Sequence, residues 1–322
     1  MLFAIAMIAL GLGLLIAGGE LVVRGAVGLA RVARLSPAVI GLTIVAIGTS
    51  VPELAVGLIA ALEGSADITV GNVVGSNIFN LSGILGVTAL IRPMVLHGNT
   101  ARLEYPAMIG ATLLGAAAMH DGSVSRLEGA AFVVIYAAFT AFMVRIVRRQ
   151  LSATEAEEFR KEVETLANGG RHVGLVANAL YLLVGFGLLV GGGQATVTGS
   201  VDLARIVGLS ERVIGLTVVA VCTGLPECVT SIIAGIRGHS DIAVANVIGS
   251  NLFNILGVLG VTSLIQPIPV DASVIALDNW WMIGITLGVF PGMLAFDRVG
   301  RGTGLALVGA YVAYMFVLLR AG

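Results

Sequence analysis

Apolar runs of about 20 residues recur along this 322-residue chain, the length an α-helix needs to cross the hydrocarbon core of a bilayer. Counting them predicts ten spans, near 2–18, 36–62, 68–91, 103–119, 127–147, 174–193, 212–236, 242–265, 274–296 and 303–320. Only 11% of the residues are charged, against roughly a quarter in soluble domains, so the chain cannot cover a soluble surface. The fold class is therefore an all-α polytopic membrane protein, with the lipid bilayer as its main surroundings. A net charge of −1 implies no nucleic-acid partner, and the 44 glycines suit close helix packing in lipid. The first 20 residues lack a basic leader and a small-residue cleavage site, and read as a first span rather than a removed signal. Cys222 and Cys228 share one apolar run with no zinc-type spacing, so no disulfide framework is expected.

The longest hydrophilic segment, near 145–172, carries Arg145, Arg148, Arg149, Arg160, Lys161 and Arg171. The positive-inside rule makes it cytoplasmic. Five spans precede it, so both termini are expected outside, in a plasma (inner) membrane. Arg24, Arg31 and Arg34 after the first span, and Arg92 and Arg102 after the third, agree with that orientation. The loop between spans two and three agrees too, with Glu63 and Asp67 and no basic residue. The chain also repeats itself. A shift of 174 positions aligns IGLTIVAIGTSVPE (40–53) with IGLTVVAVCTGLPE (214–227), and ADITVGNVVGSNIFN (66–80) with SDIAVANVIGSNLFN (240–254). From Ile40 to Ile91 more than half the positions match. Five is odd, so the two copies lie in opposite orientations. The expected organisation is a first five-helix repeat over 1–144, a linker over 145–173 and an inverted repeat over 174–322. Inverted repeats with interrupted helices at mid-membrane are a transporter architecture.

The repeats carry matched polar sets. Thr49 and Glu53 share a helix face, and Pro52 is expected to loosen the turn around 46–49 and expose carbonyl oxygens. Thr223, Pro226 and Glu227 copy them. Asn72, Ser76 and Asn80 form a stripe at every fourth residue, copied by Asn246, Ser250 and Asn254. Gly71 and Gly75, copied by Ala245 and Gly249, are expected to let each stripe approach its proline-kinked partner. Asp67 and Asp241 are expected to cap the helices that follow them. Apart from the amide nitrogens the convergent groups are oxygen donors, which favours a hard cation such as Ca²⁺, Na⁺ or Mg²⁺ over Zn²⁺ or Cu²⁺. Ionised Glu53 and Glu227 together balance one Ca²⁺ or two monovalent ions. The rival structural readings are a paired glutamate, threonines bonded back to their own helix, and asparagines acting as interhelical glue. Intramembrane ionisable groups, at matched positions above all, point instead to function.

The pattern G-T-S-x-P-E followed by G-N-x-x-G-S-N-x-F-N, present in both copies, resembles the α-repeats of the calcium:cation antiporter superfamily, in its sodium/calcium exchanger branch. The resemblance implies an antiporter that expels Ca²⁺ using inward Na⁺ flux, electrogenic if more than two Na⁺ move per Ca²⁺. Carried over, the calcium-ligating glutamates match Glu53 and Glu227. Thr49 and Thr223 would serve Ca²⁺ through backbone carbonyls. Sodium ligands match Ser50, Ser76 and Ser250, with the carbonyls of Ala46 and Ala220, and the central polar pair matches Asn80 and Asn254. Potassium-dependent relatives carry an Asp where this chain has Asn254, which argues against K⁺ co-transport.

The second copy departs from the pattern at CTGLPE (222–227). Gly224 lacks the hydroxyl that a serine would offer to one Na⁺. Water or a carbonyl would replace it, or that site is weak or absent, lowering the Na⁺ stoichiometry or favouring another counter-ion. Cys222 reads as packing, since a neutral thiol is a poor ligand for a hard cation. The expected function is Ca²⁺/Na⁺ antiport by alternating access, with no cofactor beyond the transported ions and the monomer as the working unit. The rivals are an H⁺/Ca²⁺ antiporter of the same fold and a cation channel. An enzyme is not expected, because no H-E-x-x-H, G-x-S-x-G or Cys/His pairing is placed for catalysis.

Overall fold

The computed structural model describes residues 1–33, 37–62, 66–96, 100–150, 175–207 and 220–321. The linker beyond Gln150, the first part of the seventh span, Arg34, Glu63, His97 and His172 lie outside the described residues. Helix α1 spans Leu2–Ala33, and α2 runs as Ala38–Thr49 and Val51–Leu62, bent by 43° between them. Helix α3 runs from Ala66–Ile78 through a π-helical segment, Phe79–Leu85, into Gly86–Ile91. Helix α4 joins Thr100–Glu104 to Tyr105–Met119, and α5 is Arg126–Gln150. The second half repeats this order: α6 Leu175–Val207, α7 Ala220–Thr223 with Leu225–Ile236, α8 Ser240–Leu252 through Phe253–Leu259 to Gly260–Ile265, α9 Val274–Asp278 with Asn279–Phe296, and α10 Arg301–Ala321. Seven of these helices are long and apolar enough to cross a bilayer singly, and the bent α2 makes eight. Helices α4 and α7 complete the plan of two inverted five-helix repeats.

Two boundaries differ from expectation. The first and sixth spans, read as ending near 18 and 193, continue as helix to Ala33 and Val207. Arg24 and Arg31 therefore lie on α1 itself, not in a loop. Glu20 Oε1 accepts from Arg24 Nε at 2.7 Å and from Arg237 Nη2 at 2.8 Å, which ties α1 to the end of α7. The expected cap at Asp241 is also corrected. Helix α8 starts at Ser240 with His239 at its cap position, and Asp241 sits in the first turn, where a negative charge suits the helix dipole.

Burial sorts the helices into layers. The apolar window of α8 is buried throughout and that of α3 over 72%, against 28% for α1 and α6 and 17% for α5 and α10. The two polar stripes thus sit on the two most enclosed helices. Two short antiparallel ribbons join the halves: β1 (Met94–Val95) pairs with β4 (Arg298–Val299), and β2 (Ser123–Val124) with β3 (Ile268–Pro269). Each ribbon takes one strand from each repeat.

Helices α1 and α6 pack along a glycine seam. Gly11, Gly18 and Gly25 are seven residues apart, as are Gly185, Gly192 and Gly199. A Cβ at Gly18 would lie 2.8 Å from the Gly185 carbonyl oxygen, one at Gly192 2.8 Å from that of Gly11, and one at Gly199 2.6 Å from that of Ala4. Lipid offers no hydrophobic drive for association, so backbone-to-backbone approach of this kind supplies the dispersion contact that holds two helices together. The seven-residue spacing returns the small residues to nearly the same side of each helix, two turns on.

Candidate cation site

The bend in α2 falls at Ser50, whose φ of −86° and ψ of 13° leave the helical region, and α7 breaks in the same way at Gly224, with φ −81° and ψ 5°. Pro52 and Pro226, two residues further on, lack the N–H that would continue the ladder. The loosening is therefore centred a little later than expected. Ala46 is not freed: its carbonyl oxygen accepts from Ser50 N at 3.1 Å. A π-helical segment, Gly41–Val45, widens α2 just before the break, and the wide segments of α3 and α8 start at Phe79 and Phe253, beside Asn80 and Asn254. Such bulges reposition side chains at functional sites.

The breaks bring the two halves together. Ser50 Oγ donates to Glu227 Oε1 at 2.7 Å, across the repeat boundary. The Thr49 hydroxyl donates to the Val45 carbonyl at 3.0 Å and lies 3.4 Å from Asn246 Oδ1, so it bonds back to its own helix as the structural reading had it. Asn72 Nδ2 reaches the Glu53 carbonyl at 3.4 Å, whereas its copy Asn246 donates to Ser231 Oγ at 3.0 Å. Glu53 and Glu227 are each 1% exposed. Four buried oxygens of the matched polar sets have no hydrogen-bond partner among the described residues: Glu53 Oε2, Glu227 Oε2, Ser250 Oγ and Asn254 Oδ1. Ser76, Asn80, Ala46 and Thr223 are buried on the same four helices, and Ala220 opens the described part of α7. Asn80 and Asn254 do act partly as glue, donating to Asn251 Oδ1 at 3.0 Å and Asn77 Oδ1 at 3.1 Å.

Helices α2 and α8 approach closely. A Cβ at Gly249 would lie 2.4 Å from the Leu42 carbonyl oxygen, and one at Gly41 3.0 Å from that of Ile242. The expected small-residue contact thus holds for Gly249. Gly71 and Gly75 have no atom of another segment within 4 Å of their Cβ positions among the described residues, and residue 216, the counterpart of Leu42, lies outside them. The site also shows what stands beside two of the positions at which the copies differ. A Cβ at Gly48 would lie 2.2 Å from the Phe186 ring, so a larger residue on α2 would have to push that ring aside. The repeat counterpart of Phe186 is Leu12, 43% exposed, and Cys222 itself is buried. A Cβ at Gly224 would lie 3.0 Å from Phe79 Cδ1, so a serine there would press on the ring, which would have to give by a few tenths of an ångström. Phe79, Asn77, Asn251 and Ser231 were not singled out by sequence reasoning. For the first three, their identity in both copies of G-S-N-x-F-N was the available signal.

Two inverted repeats around buried oxygens at broken helices define a multi-pass membrane transport protein. Residues 3–145 and 177–320 match the family described as sodium/calcium exchanger protein, and the chain belongs to that family. It is 37% identical to the putative antiporter CaxA of Alkalimonas amylolytica over the whole of both chains. It is 31% identical to the sodium/calcium exchanger MaX1 of Methanosarcina acetivorans, over 96% of each chain. Its fold superposes on the sodium-calcium exchanger NCX_Mj with a TM-score of 0.83 at 26% identity, covering 98% of both chains.

Proposed function

We propose that this chain is a secondary-active antiporter that exchanges Ca²⁺ for Na⁺ by alternating access, with Glu53 and Glu227 at its centre. The observation that carries the proposal is the set of four buried, partnerless oxygens, two of them carboxylate. A carboxylate at mid-bilayer costs about 3 kcal/mol even on permissive scales, and a bound cation offsets that cost. One Ca²⁺ balances both glutamates, and so do two Na⁺, which makes the two loads mutually exclusive. Ca²⁺ takes about 6–8 oxygens in flexible geometry. The glutamates, the Thr49 and Thr223 carbonyls and the amide oxygens of Asn80 and Asn254 would supply them. Ser50, Ser76 and Ser250, with the carbonyls of Ala46 and Ala220, would hold Na⁺, the Ala46 carbonyl through the lone pair that Ser50 N leaves. In this reading the monomer transports, both termini lie outside, and the basic linker faces the cytoplasm.

Proton coupling is the second reading, and Gly224 is what favours it. Ser50 offers a hydroxyl to Glu227, but the equivalent place beside Gly224 holds the Phe79 ring. The half-site lacking the hydroxyl is the poorer one for Na⁺. Reconstituted protein should take up Ca²⁺ when driven by an outward Na⁺ gradient, and Glu53→Gln or Glu227→Gln should abolish the flux without loss of folded protein. Uptake driven by a pH gradient alone would support the second reading. Flux that persists in either variant would overturn the site.

A further inference from the structure

Four asparagines meet where α3 crosses α8, and their hydrogen bonds form a two-fold ring. Asn77 Nδ2 donates to the Asn251 carbonyl at 3.4 Å, and Asn251 Nδ2 to the Asn77 carbonyl at 3.3 Å. Asn254 Nδ2 donates to Asn77 Oδ1 at 3.1 Å, and Asn80 Nδ2 to Asn251 Oδ1 at 3.0 Å. All four side chains are at most 2% exposed. A side-chain amide can face either way, and the network decides which. Here the decision starts from the backbone. A carbonyl oxygen only accepts, so it fixes Asn77 and Asn251 with their NH₂ groups toward the carbonyls. Their own oxygens then face Asn254 and Asn80, which must answer with NH₂. The amide oxygens of Asn80 and Asn254 are left to turn out of the ring, and Asn254 Oδ1 is buried there with no partner.

We infer that Asn77 and Asn251 are positioning residues: they lock the amides of Asn254 and Asn80 so that an oxygen, not an NH₂ group, faces the transported cation. The inference rests on the proposed cation site and adds the two residues that set its polarity. A flipped amide would present hydrogen to a cation, so the ring converts an ambiguous side chain into a fixed neutral ligand. It also accounts for asparagine at 80 and 254, since an ionised aspartate there could not donate to the ring.

The test is a double-mutant cycle read as Ca²⁺-dependent stabilisation of the purified full-length protein in detergent, titrated to half-saturation, with the unfolding temperature without Ca²⁺ measured alongside. Asn77→Ala should raise the half-saturating Ca²⁺ concentration about tenfold, from loss of an oriented ligand. Asn254→Ala should do the same, and the double variant should be no worse than Asn254→Ala, because one residue acts through the other. The two-fold mate, Asn251→Ala with Asn80→Ala, runs the same cycle should Asn77→Ala fail to fold. A half-saturation within about twofold of wild type, or multiplying effects in the double variant, would overturn the inference alone. A wild-type protein with no Ca²⁺-dependent shift would overturn the cation site and the inference together.

Discussion

The α1–α6 seam offers the sharpest test of how this protein is held together. In Gly18→Ala the new methyl would start 2.8 Å from the Gly185 carbonyl oxygen, 2.9 Å from Leu189 N and 3.0 Å from Leu188 Cβ. Two of those three atoms are backbone and cannot rotate away, so the helices must part locally by about 0.5 Å to reach ordinary contact. A gap of that size forfeits about a quarter of the dispersion energy of each contact along the seam. Overpacking of this kind costs about 1–3 kcal/mol, while alanine returns up to about 1 kcal/mol of helix propensity. The expected net loss is about 1–2 kcal/mol. Gly13 provides the control, because it lies on the same helix, is exposed, and has no described atom within 4 Å of its Cβ position. Gly13→Ala should be neutral or stabilising by up to about 1 kcal/mol. Unfolding of the two variants side by side in detergent reads the difference. Equal stability would refute the claim that backbone contact, rather than side-chain packing, joins α1 to α6. Because α6 places Phe186 against Gly48, Gly18→Ala should also slow Ca²⁺ exchange, whereas Gly13→Ala should not.

Other outcomes follow from the site. Gly224→Ser, with the Phe79 ring yielding a few tenths of an ångström, should steepen the Na⁺ dependence of Ca²⁺ exchange; an unchanged Hill coefficient would sink the half-site argument. Cys222→Ala should retain exchange at close to the wild-type rate, because the thiol is packing, and a large loss would assign it a direct role. Arg237→Gln should change stability by less than about 1 kcal/mol, since Arg237 is 55% exposed and exposed pairs are worth little; a larger change in unfolding would show that the Glu20 pair matters more than its exposure suggests.

Much of this molecule was legible in one dimension, for physical reasons. Lipid cannot satisfy backbone polar groups, so long apolar runs had to be helices, and an odd-numbered unit followed by its copy had to be inverted. The same hostility to charge made Glu53 and Glu227 conspicuous, and a proline near each marked a break in its helix. Length was less legible. Helix continued past the expected ends of α1 and α6, to Ala33 and Val207, through polar residues at which a count of apolar runs stops; on α1, Glu20 pairs with Arg24 one turn on and with Arg237 from the end of α7. The ring of Asn77, Asn80, Asn251 and Asn254 could not be read from spacing, since it depends on where two antiparallel helices cross. Nor could the surroundings of Gly48 and Gly224, where an aromatic ring from another helix, Phe186 or Phe79, stands against the position. Composition and period decide that a segment crosses the membrane and which residues share its face. Which side-chain oxygens are left without partners is decided by contacts between helices far apart in the chain, and so it belongs to the tertiary structure.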